Sequence, residues 1–337
     1  MLRRAVFLAG AALFVAACSS GGSAPAPTPT KASLTFPAHT TGPPTSAART
    51  GPLRWTPGPP MPIAVSESGS AIVNGQLHVV GGYVDATPHS TTHLVFDLAT
   101  KTWSQGVPLP EPRDHDGAVA LDSFLYVIGG YGPHGPSDAM WVFDTQTKEW
   151  VKGPPLPVAR AAAAVVVLGG KIHVVGGIEP GGLTTDRHDV YDPTTNSWSS
   201  AAPMPTPRNH AAFAVLDGKL HVVAGRPGDL SVHEVYDPAT DRWTSAAPLP
   251  RGGSALGGAT LDGRLLVIGG EDAAETTVTT EVDAWSPKTN TWTKVTSLPH
   301  GLQTLCADTD GTTVYVAGGG PVAGASRQSS TLLELSH

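Results

Sequence analysis

Three arginines stand at nearly equal intervals along the chain, at Arg113, Arg160 and Arg208. The guanidinium group offers parallel N–H donors, which suit carboxylate or sulfate groups. The spacings of 47 and 48 residues indicate that the three side chains occupy the same place in successive structural units. We therefore expect them to face a ligand together. The alternative is that each pairs with a carboxylate of a neighbouring unit.

Histidines are the second set of residues that could do chemistry, because imidazole binds metals and transfers protons. Three of them share one position of the repeat, where other units carry tyrosine or leucine: His78, His173 and His221, against Tyr126, Leu266 and Tyr315. Equivalent positions in different units are expected to lie far apart, and a metal site does not accept leucine. We interpret these histidines as side chains packed between sheets.

His115 and His210 each lie two residues after one of the arginines, and Asp114 and Asp116 flank the first of them. These groups could in principle hold a metal ion. A single histidine per unit is more often simply solvated. The sequence therefore predicts no metal site and no cofactor.

The composition excludes several classes of function. The formal net charge is −7, with 21 Lys and Arg against 28 Asp and Glu, which argues against a nucleic-acid partner. Two cysteines, Cys18 and Cys306, are too few for a disulfide framework or a four-cysteine zinc site. Cys306 lies in an apolar segment and is expected to be buried. There is no HExxH motif, phosphate-binding loop or nucleophile–base pair, so no catalytic residue is predicted.

The segments that must position these side chains form an internal repeat. Six of the eight tryptophans recur at spacings of 48, 47, 48, 45 and 49 residues: Trp55, Trp103, Trp150, Trp198, Trp243 and Trp292. Six apolar runs end in glycine, and all but one end in a pair: Gly81, Gly82, Gly129, Gly130, Gly176, Gly177, Gly225, Gly269, Gly270, Gly318 and Gly319. A fixed period of this length indicates a repeat architecture.

Each unit has the pattern of four short strands joined by tight turns. The fourth unit has runs at 210–216, 219–225, 234–237 and 242–246. Asp217-Gly218 is a two-residue hairpin signal, and Pro238 suits the turn that follows the third run. Short antiparallel strands in units of this length favour a propeller over a sandwich.

The paired glycines, the later aromatic residue and the tryptophan seven positions after it resemble the kelch motif, and the resemblance covers residues 54–337. It implies an all-β, six-bladed kelch-type β-propeller. The sixth unit ends in its third strand, at residues 332–336, and Trp55 precedes the first unit as a spare fourth strand. We predict that Arg54 and Trp55 pair with that C-terminal strand and close the last blade, which removes free sheet edges.

The resemblance also implies a place for a ligand. The connections between kelch blades lie on one face near the central channel, and members that bind protein peptides commonly use arginines there. The loops after the glycines are polar and differ between blades, as binding loops usually do. The candidate ligand-binding residues are Arg113, His115, Arg160, Arg208, His210, Arg187, Arg226 and Glu67. The predicted partner is an envelope protein or a glycan.

Two families of enzyme share this architecture. Copper enzymes similar to galactose oxidase need tyrosine and histidine ligands and a Cys–Tyr crosslink, and the chain has no matching set. N-acetylneuraminate epimerase is a six-bladed kelch enzyme of the bacterial envelope, but the near-constant period of this chain leaves no long catalytic loop. The sequence favours a binding module, with an envelope carbohydrate-active enzyme or a purely structural lipoprotein as alternatives.

The N-terminal segment predicts the cellular location of the protein. Residues 1–17 combine two arginines with an apolar run of 13 residues, which is typical of a secretory signal peptide and too short to span a bilayer. The run ends in Val-Ala-Ala-Cys, which resembles the bacterial lipobox, so Cys18 is expected to carry acyl chains. Residues 18–53 are expected to form a disordered Ser/Thr/Pro/Ala/Gly linker. We predict a protein anchored by lipid to the outer side of a bacterial membrane.

Overall fold

Six antiparallel sheets of four strands each follow one another along the chain. The computed structural model describes residues 51–85, 87–228, 231–272 and 274–337, and all of them belong to one unit. The first strands of successive sheets contact each other in a closed cycle, in which the sixth meets the first. The fold is therefore an all-β, six-bladed propeller, and the sequence-based prediction is confirmed.

The strands of each blade run from the channel outwards in chain order. Blade 1 consists of Gly69–Val73, Gln76–Val80, His93–Asp97 and Thr102–Gln105. Blade 2 consists of Gly117–Leu121, Phe124–Ile128, Met140–Asp144 and Glu149–Lys152. Blade 3 consists of Ala164–Leu168, Lys171–Val175, His188–Asp192 and Ser197–Ser200. Blade 4 consists of Ala212–Leu216, Lys219–Val223, His233–Asp237 and Arg242–Ser245. Blade 5 consists of Gly257–Leu261, Arg264–Ile268, Glu281–Ser286 and Thr291–Ser297.

Blade 6 is built from both ends of the propeller sequence. Its three inner strands are Cys306–Thr309, Val314–Ala317 and Leu332–Ser336, and its outer strand is Arg54–Pro57. Arg54 pairs with Ser336, and Trp55 pairs with Leu335. The predicted closure is confirmed. Leu53, the last residue of the predicted linker, packs against the core of blades 5 and 6.

Three smaller elements lie outside the four-stranded sheets. Two-residue ribbons pair Tyr131–Gly132 with Gly135–Pro136 and Ile178–Glu179 with Leu183–Thr184, and a short 3-10 helix spans Ala323–Ala325. In the described ranges there is no helix with the length and apolar character that crossing a membrane requires. The proposed signal peptide and Cys18 lie outside the described residues.

The core lies between the sheets, because the second and third strands are buried on both faces. Leu77 and Val79 of blade 1, for example, share one cluster with Cys306, Tyr315 and Ala317 of blade 6. Cys306 is buried, as the sequence predicts. Packing on both faces explains why these strands read as continuous apolar runs instead of alternating.

The paired glycines let each blade touch the next. Gly130 has φ of +85° and donates its N–H to the carbonyl of Arg160 over 2.8 Å. A Cβ on Gly129 would stand 2.4 Å from the same carbonyl oxygen, a distance that no side chain tolerates. Glycine at this position therefore serves both an unusual backbone angle and close approach.

Candidate functional site at the channel mouth

One residue of each blade, just before the innermost strand, has a left-handed backbone. The six residues have φ between 48° and 57°: Glu67, His115, Ala162, His210, Ala255 and Thr304. Backbone hydrogen bonds of 2.7 to 3.2 Å join each one to the one before it, from Glu67 round to Thr304. This chain of bonds encircles the channel and brings the six side chains to one level. We call these six residues the mouth ring.

Three members of the mouth ring carry reactive groups. His115 Nε2 lies 3.1 Å from Glu67 Oε2, and the ring centroids of His115 and His210 are 5.0 Å apart. The side chains of Glu67 and His115 are only 8% and 11% exposed. They face a cavity of about 280 Å³ at the mouth of the channel.

Oxygen atoms behind the two histidines hold their rings in place. His115 Nδ1 lies 2.6 Å from Asp114 Oδ1, and Asp114 in turn contacts His89 Nδ1 at 2.5 Å. His210 Nδ1 lies 2.5 Å from the amide oxygen of Asn209. Because carboxylate and amide oxygens only accept, each Nδ1 must donate, and each Nε2 is the nitrogen left for other contacts.

The cavity wall combines aromatic and charged groups from the loops that follow the glycines. The edges of Tyr83 and Tyr131 meet the ring of His115, with centroid distances of 5.8 and 5.4 Å. Arg226 pairs with Glu271 at 2.7 Å and also with Glu275. The remaining lining residues are Ile178, Gln303 and Gly324.

Burial changes the protonation of this cluster. It raises the pKa of Glu67 to about 7, and His115 only partly opposes that rise. Burial alone lowers the pKa of His115, but Glu67 and the hydrogen-bonded Asp114 outweigh it and raise the pKa. Burial, with the charges of His115 and Arg226, lowers the pKa of His210 well below its usual value. His210 is therefore a neutral imidazole near pH 7.

Comparisons with known proteins agree with this architecture. The model of the KLHDC2/KLHL20/DRC7 Kelch-repeats domain matches residues 67–248, more than half of the chain. The chain belongs to this family of kelch propellers. A model of the Kelch motif matches residues 253–299 as well. No curated protein gives a significant match.

A solved structure titled "Structure of YjhT" has the same kelch fold. The TM-score is 0.72, the two chains are 20% identical, and the match covers 83% of this chain and 97% of the other. At this level of identity the likeness shows the fold alone.

Two of the three equivalent arginines are interior residues of the kelch blades. The side chains of Arg160 and Arg208 are 0% exposed, and they pair with Asp189 at 2.6 Å and with Glu234. Arg113 is also buried and pairs with Glu111. The interpretation of these three as a shared ligand surface is therefore wrong, because their guanidinium groups do not reach solvent.

The partners of these arginines explain the error. Asp189 and Glu234 each belong to the third strand of the same blade as their arginine, and not to a neighbouring blade. In blade 5 the arginine stands two residues earlier in the repeat, at Arg251. It reaches Asp283, which is also on the third strand, at 3.1 Å. The arginine thus ties the segment before the first strand to the third strand within one blade.

The other predicted ligand residues divide into two groups. Glu67, His115, His210 and Arg226 all line the cavity. Arg187 lies half-exposed beside Asp189 at 3.3 Å and does not line it. The expectation that His115 and His210 are separate and solvated is wrong, because the mouth ring lies nearest the axis, where equivalent positions converge.

A signal for this site was present in the sequence. Glu67, His115 and His210 are equivalent by repeat alignment, since each lies two residues after the arginine position. Sequence reasoning missed that this position is the innermost of the blade. Asn209, Glu275 and Gln303 were missed as well, and nothing in a single sequence marks them.

The histidines at the shared repeat position form buried pairs. Nδ1 of His78 lies 2.8 Å from Nε2 of His93, and the pair His173–His188 has the same geometry. The third pair is His221–His233, at 2.9 Å. They pack against aromatic rings of the next blade, as the sequence predicts for residues between sheets. The spacing of 15, 15 and 12 residues was a readable signal for the pairs.

Proposed function

We propose that the channel mouth binds a small carbohydrate and transfers protons on it, so that the propeller is an envelope enzyme rather than a protein-binding module. The observation that carries the proposal is the buried Glu67–His115 pair, 3.1 Å apart, at the base of a cavity of about 280 Å³. A cavity of this size suits a small molecule better than a protein surface. The burial of Arg160 and Arg208 removes the main argument for a protein ligand.

The chemistry that fits such a pair is the interconversion of sugar anomers. One group takes the proton of the anomeric hydroxyl while another protonates the ring oxygen, and the ring C–O bond breaks as a carbonyl forms. Closure on the other face of the carbonyl reverses both transfers. Glu67 accepts the first proton and His115 donates the second. The polar walls supply hydrogen bonds to the sugar hydroxyls, and Tyr83 and Tyr131 supply aromatic surface.

The test is anomer exchange measured by magnetisation-transfer NMR. The panel consists of neutral hexoses, N-acetylhexosamines and a nine-carbon acidic sugar, each with and without the protein. We expect faster exchange for at least one sugar, and a loss of about 100-fold in Glu67→Gln. Glu334→Gln is the matched control, because Glu334 lies on the third strand of blade 6, does not line the cavity and pairs with Lys101. If no sugar exchanges faster with the folded protein, the proposal fails.

We also propose that the chain is exported and anchored through Cys18. The support is the apolar run of residues 1–17, the small residues before Cys18 and the linker-like composition that follows. Two or more acyl chains give stable membrane attachment. In a bacterial host, labelled palmitate should enter the wild type and Cys306→Ser but not Cys18→Ser. Label in Cys18→Ser would contradict the proposed site.

A further inference from the structure

We infer that the channel mouth holds one divalent transition-metal ion, with Glu67, His115 and His210 as its protein ligands. Each of these residues offers one ligand atom, and the three atoms lie within 4.8 Å of one another. Among the described residues, no other group of His, Cys, Asp or Glu meets this criterion. Two imidazoles and one carboxylate form a ligand set typical of catalytic zinc.

The residues behind the histidines are the independent observation that points to a metal. Protein imidazoles that bind metals usually donate their second N–H to a carboxylate or another oxygen, which orients the free nitrogen. Both mouth histidines have this arrangement: Asp114 holds Nδ1 of His115 at 2.6 Å, and Asn209 holds Nδ1 of His210 at 2.5 Å. Nε2 is thus the nitrogen left free on both rings, and that of His115 lies 3.1 Å from Glu67 Oε2.

Asp114 and Asn209, which hold the two histidines, are themselves held by hydrogen bonds. Asp114 accepts from the backbone N–H of His89 over 2.9 Å, and Asn209 donates to Thr184 over 2.9 Å. Asp114 is fully buried. The backbone bonds of the mouth ring hold the three ligand residues at one level. The site is thus organised before any ion arrives, which limits the entropy lost on binding.

The surrounding charge suits a cation. The guanidinium of Arg226, which also lines the cavity, is compensated by Glu271 and Glu275. Asp116, which follows His115 in the chain, is buried and makes no ion pair with a described lysine or arginine within 4 Å. Because metal ligands bind in their deprotonated form, a proton held by Nε2 of His115 would go to solvent when the ion binds.

The metal would change the chemistry at the mouth. Three protein ligands leave a fourth position for water, which a zinc ion acidifies strongly. This part of the inference rests on the proposed function. While Glu67 and His115 hold the ion they could not transfer protons themselves, and the acidified water would take the proton of the anomeric hydroxyl and return it to the ring oxygen. Metal binding itself needs no substrate and can be tested alone.

The experiment uses the full chain in detergent, stripped with a chelator and dialysed, with ZnCl2 titrated in a calorimeter and CoCl2 followed by its visible spectrum. We expect one ion per chain and the intense bands of four-coordinate cobalt. His210→Ala and Glu67→Gln should each weaken binding by about 100-fold, and Asp114→Asn by about 10-fold to 100-fold. His300→Ala, on the exposed surface, is the matched control and should bind as the wild type does.

The outcomes separate this inference from the proposed function. Absence of one-to-one binding in wild type, or wild-type affinity in both Glu67→Gln and His210→Ala, would overturn the metal site. Melting curves identify any variant that fails to fold, and the conservative Glu67→Gln variant then decides. Zinc binding without sugar exchange would leave the metal site standing and remove the carbohydrate activity. If the protein binds no zinc but still accelerates sugar exchange after chelation, the carbohydrate activity stands and the metal site is removed.

Discussion

Tryptophan is the residue that joins each blade to the one before it. The indole of Trp198 stacks near Tyr191, with centroids 5.3 Å apart, and its N–H donates to the carbonyl of Pro154 in blade 2 over 3.1 Å. The equivalent tryptophans of blades 1, 2, 4 and 5 make the same bond over 2.8 to 2.9 Å. Trp55 differs, because its buried N–H has no acceptor among the described residues.

Replacing one of these tryptophans should test that role. Trp198→Ala removes a partly buried indole, which we expect to cost about 3 kcal/mol and to lower Tm by roughly 5 to 10 °C. Trp198→Phe keeps most of the ring but loses the hydrogen bond, at a cost of about 1 kcal/mol. Trp55→Phe is the control and should cost less, since no bond is lost. Unchanged thermal unfolding of Trp198→Ala would contradict the inter-blade role.

At the scale of the strands, the histidine pairs make the blade contacts sensitive to acid. Burial, helped by the partner ring, lowers the pKa of His78 to about 3 and that of His173 to about 4. Burial also lowers the pKa of their partners His93 and His188, the latter to about 4. The folded protein keeps these rings neutral, whereas the unfolded chain protonates them below pH 6.5. The contribution of these neutral histidines to the free energy of unfolding is therefore complete above pH 6.5 and is lost as the pH falls towards 4.

Blade 2 offers natural replacements for one pair, since Tyr126 and Met140 occupy the positions of His78 and His93. We therefore expect the double variant His78→Tyr/His93→Met to lose less stability than wild type between pH 7.5 and pH 5. The difference should be about 2 kcal/mol for each histidine removed. Thermal unfolding at both pH values measures it. Buried carboxylates with raised pKa values stabilise the folded protein on acidification, but this effect is the same in the wild type and in the double variant. Parallel losses on acidification would refute the idea.

At the scale of the whole molecule, one short strand completes the ring. Arg54–Pro57 covers the outer edge of the Leu332–Ser336 strand, and Lys101 of blade 1 reaches Glu334 at 2.9 Å across the same seam. A chain starting at residue 58 would leave that edge unpaired, which invites association with other chains. The closure thus protects the propeller as well as completing it.

Truncation should reveal what the closing strand contributes. A chain starting at residue 51 keeps the strand, while a chain starting at residue 58 lacks it; neither contains Cys18. We expect the shorter chain to melt roughly 10 °C lower and to aggregate on heating, because a tryptophan and a full strand pairing are lost. Equal melting temperatures for the two chains would show that blade 6 does not depend on its fourth strand.

The number of blades, their four-strand pattern and the closure by Trp55 could all be predicted from the amino-acid sequence. These features are local or periodic: hairpin turns set strand pairing, glycine pairs mark strand ends, and the tryptophan period counts the units. The sequence also marked Glu67, His115, His210 and Arg226 as candidate binding residues. It did not distinguish them from Arg160 and Arg208, because all six are polar and five of them recur at equivalent positions of the repeat.

Which equivalent positions of the repeat come into contact depends on the three-dimensional arrangement of the blades. Positions repeated around a ring lie far apart at the rim and close together at the axis, and a single sequence does not state the distance of a residue from the axis. Arg160 and Arg208 turn inwards because each pairs with a buried carboxylate on the third strand of its own blade. Glu67, His115 and His210 converge because a left-handed backbone places them at the channel mouth, although 48 and 95 residues of chain separate them.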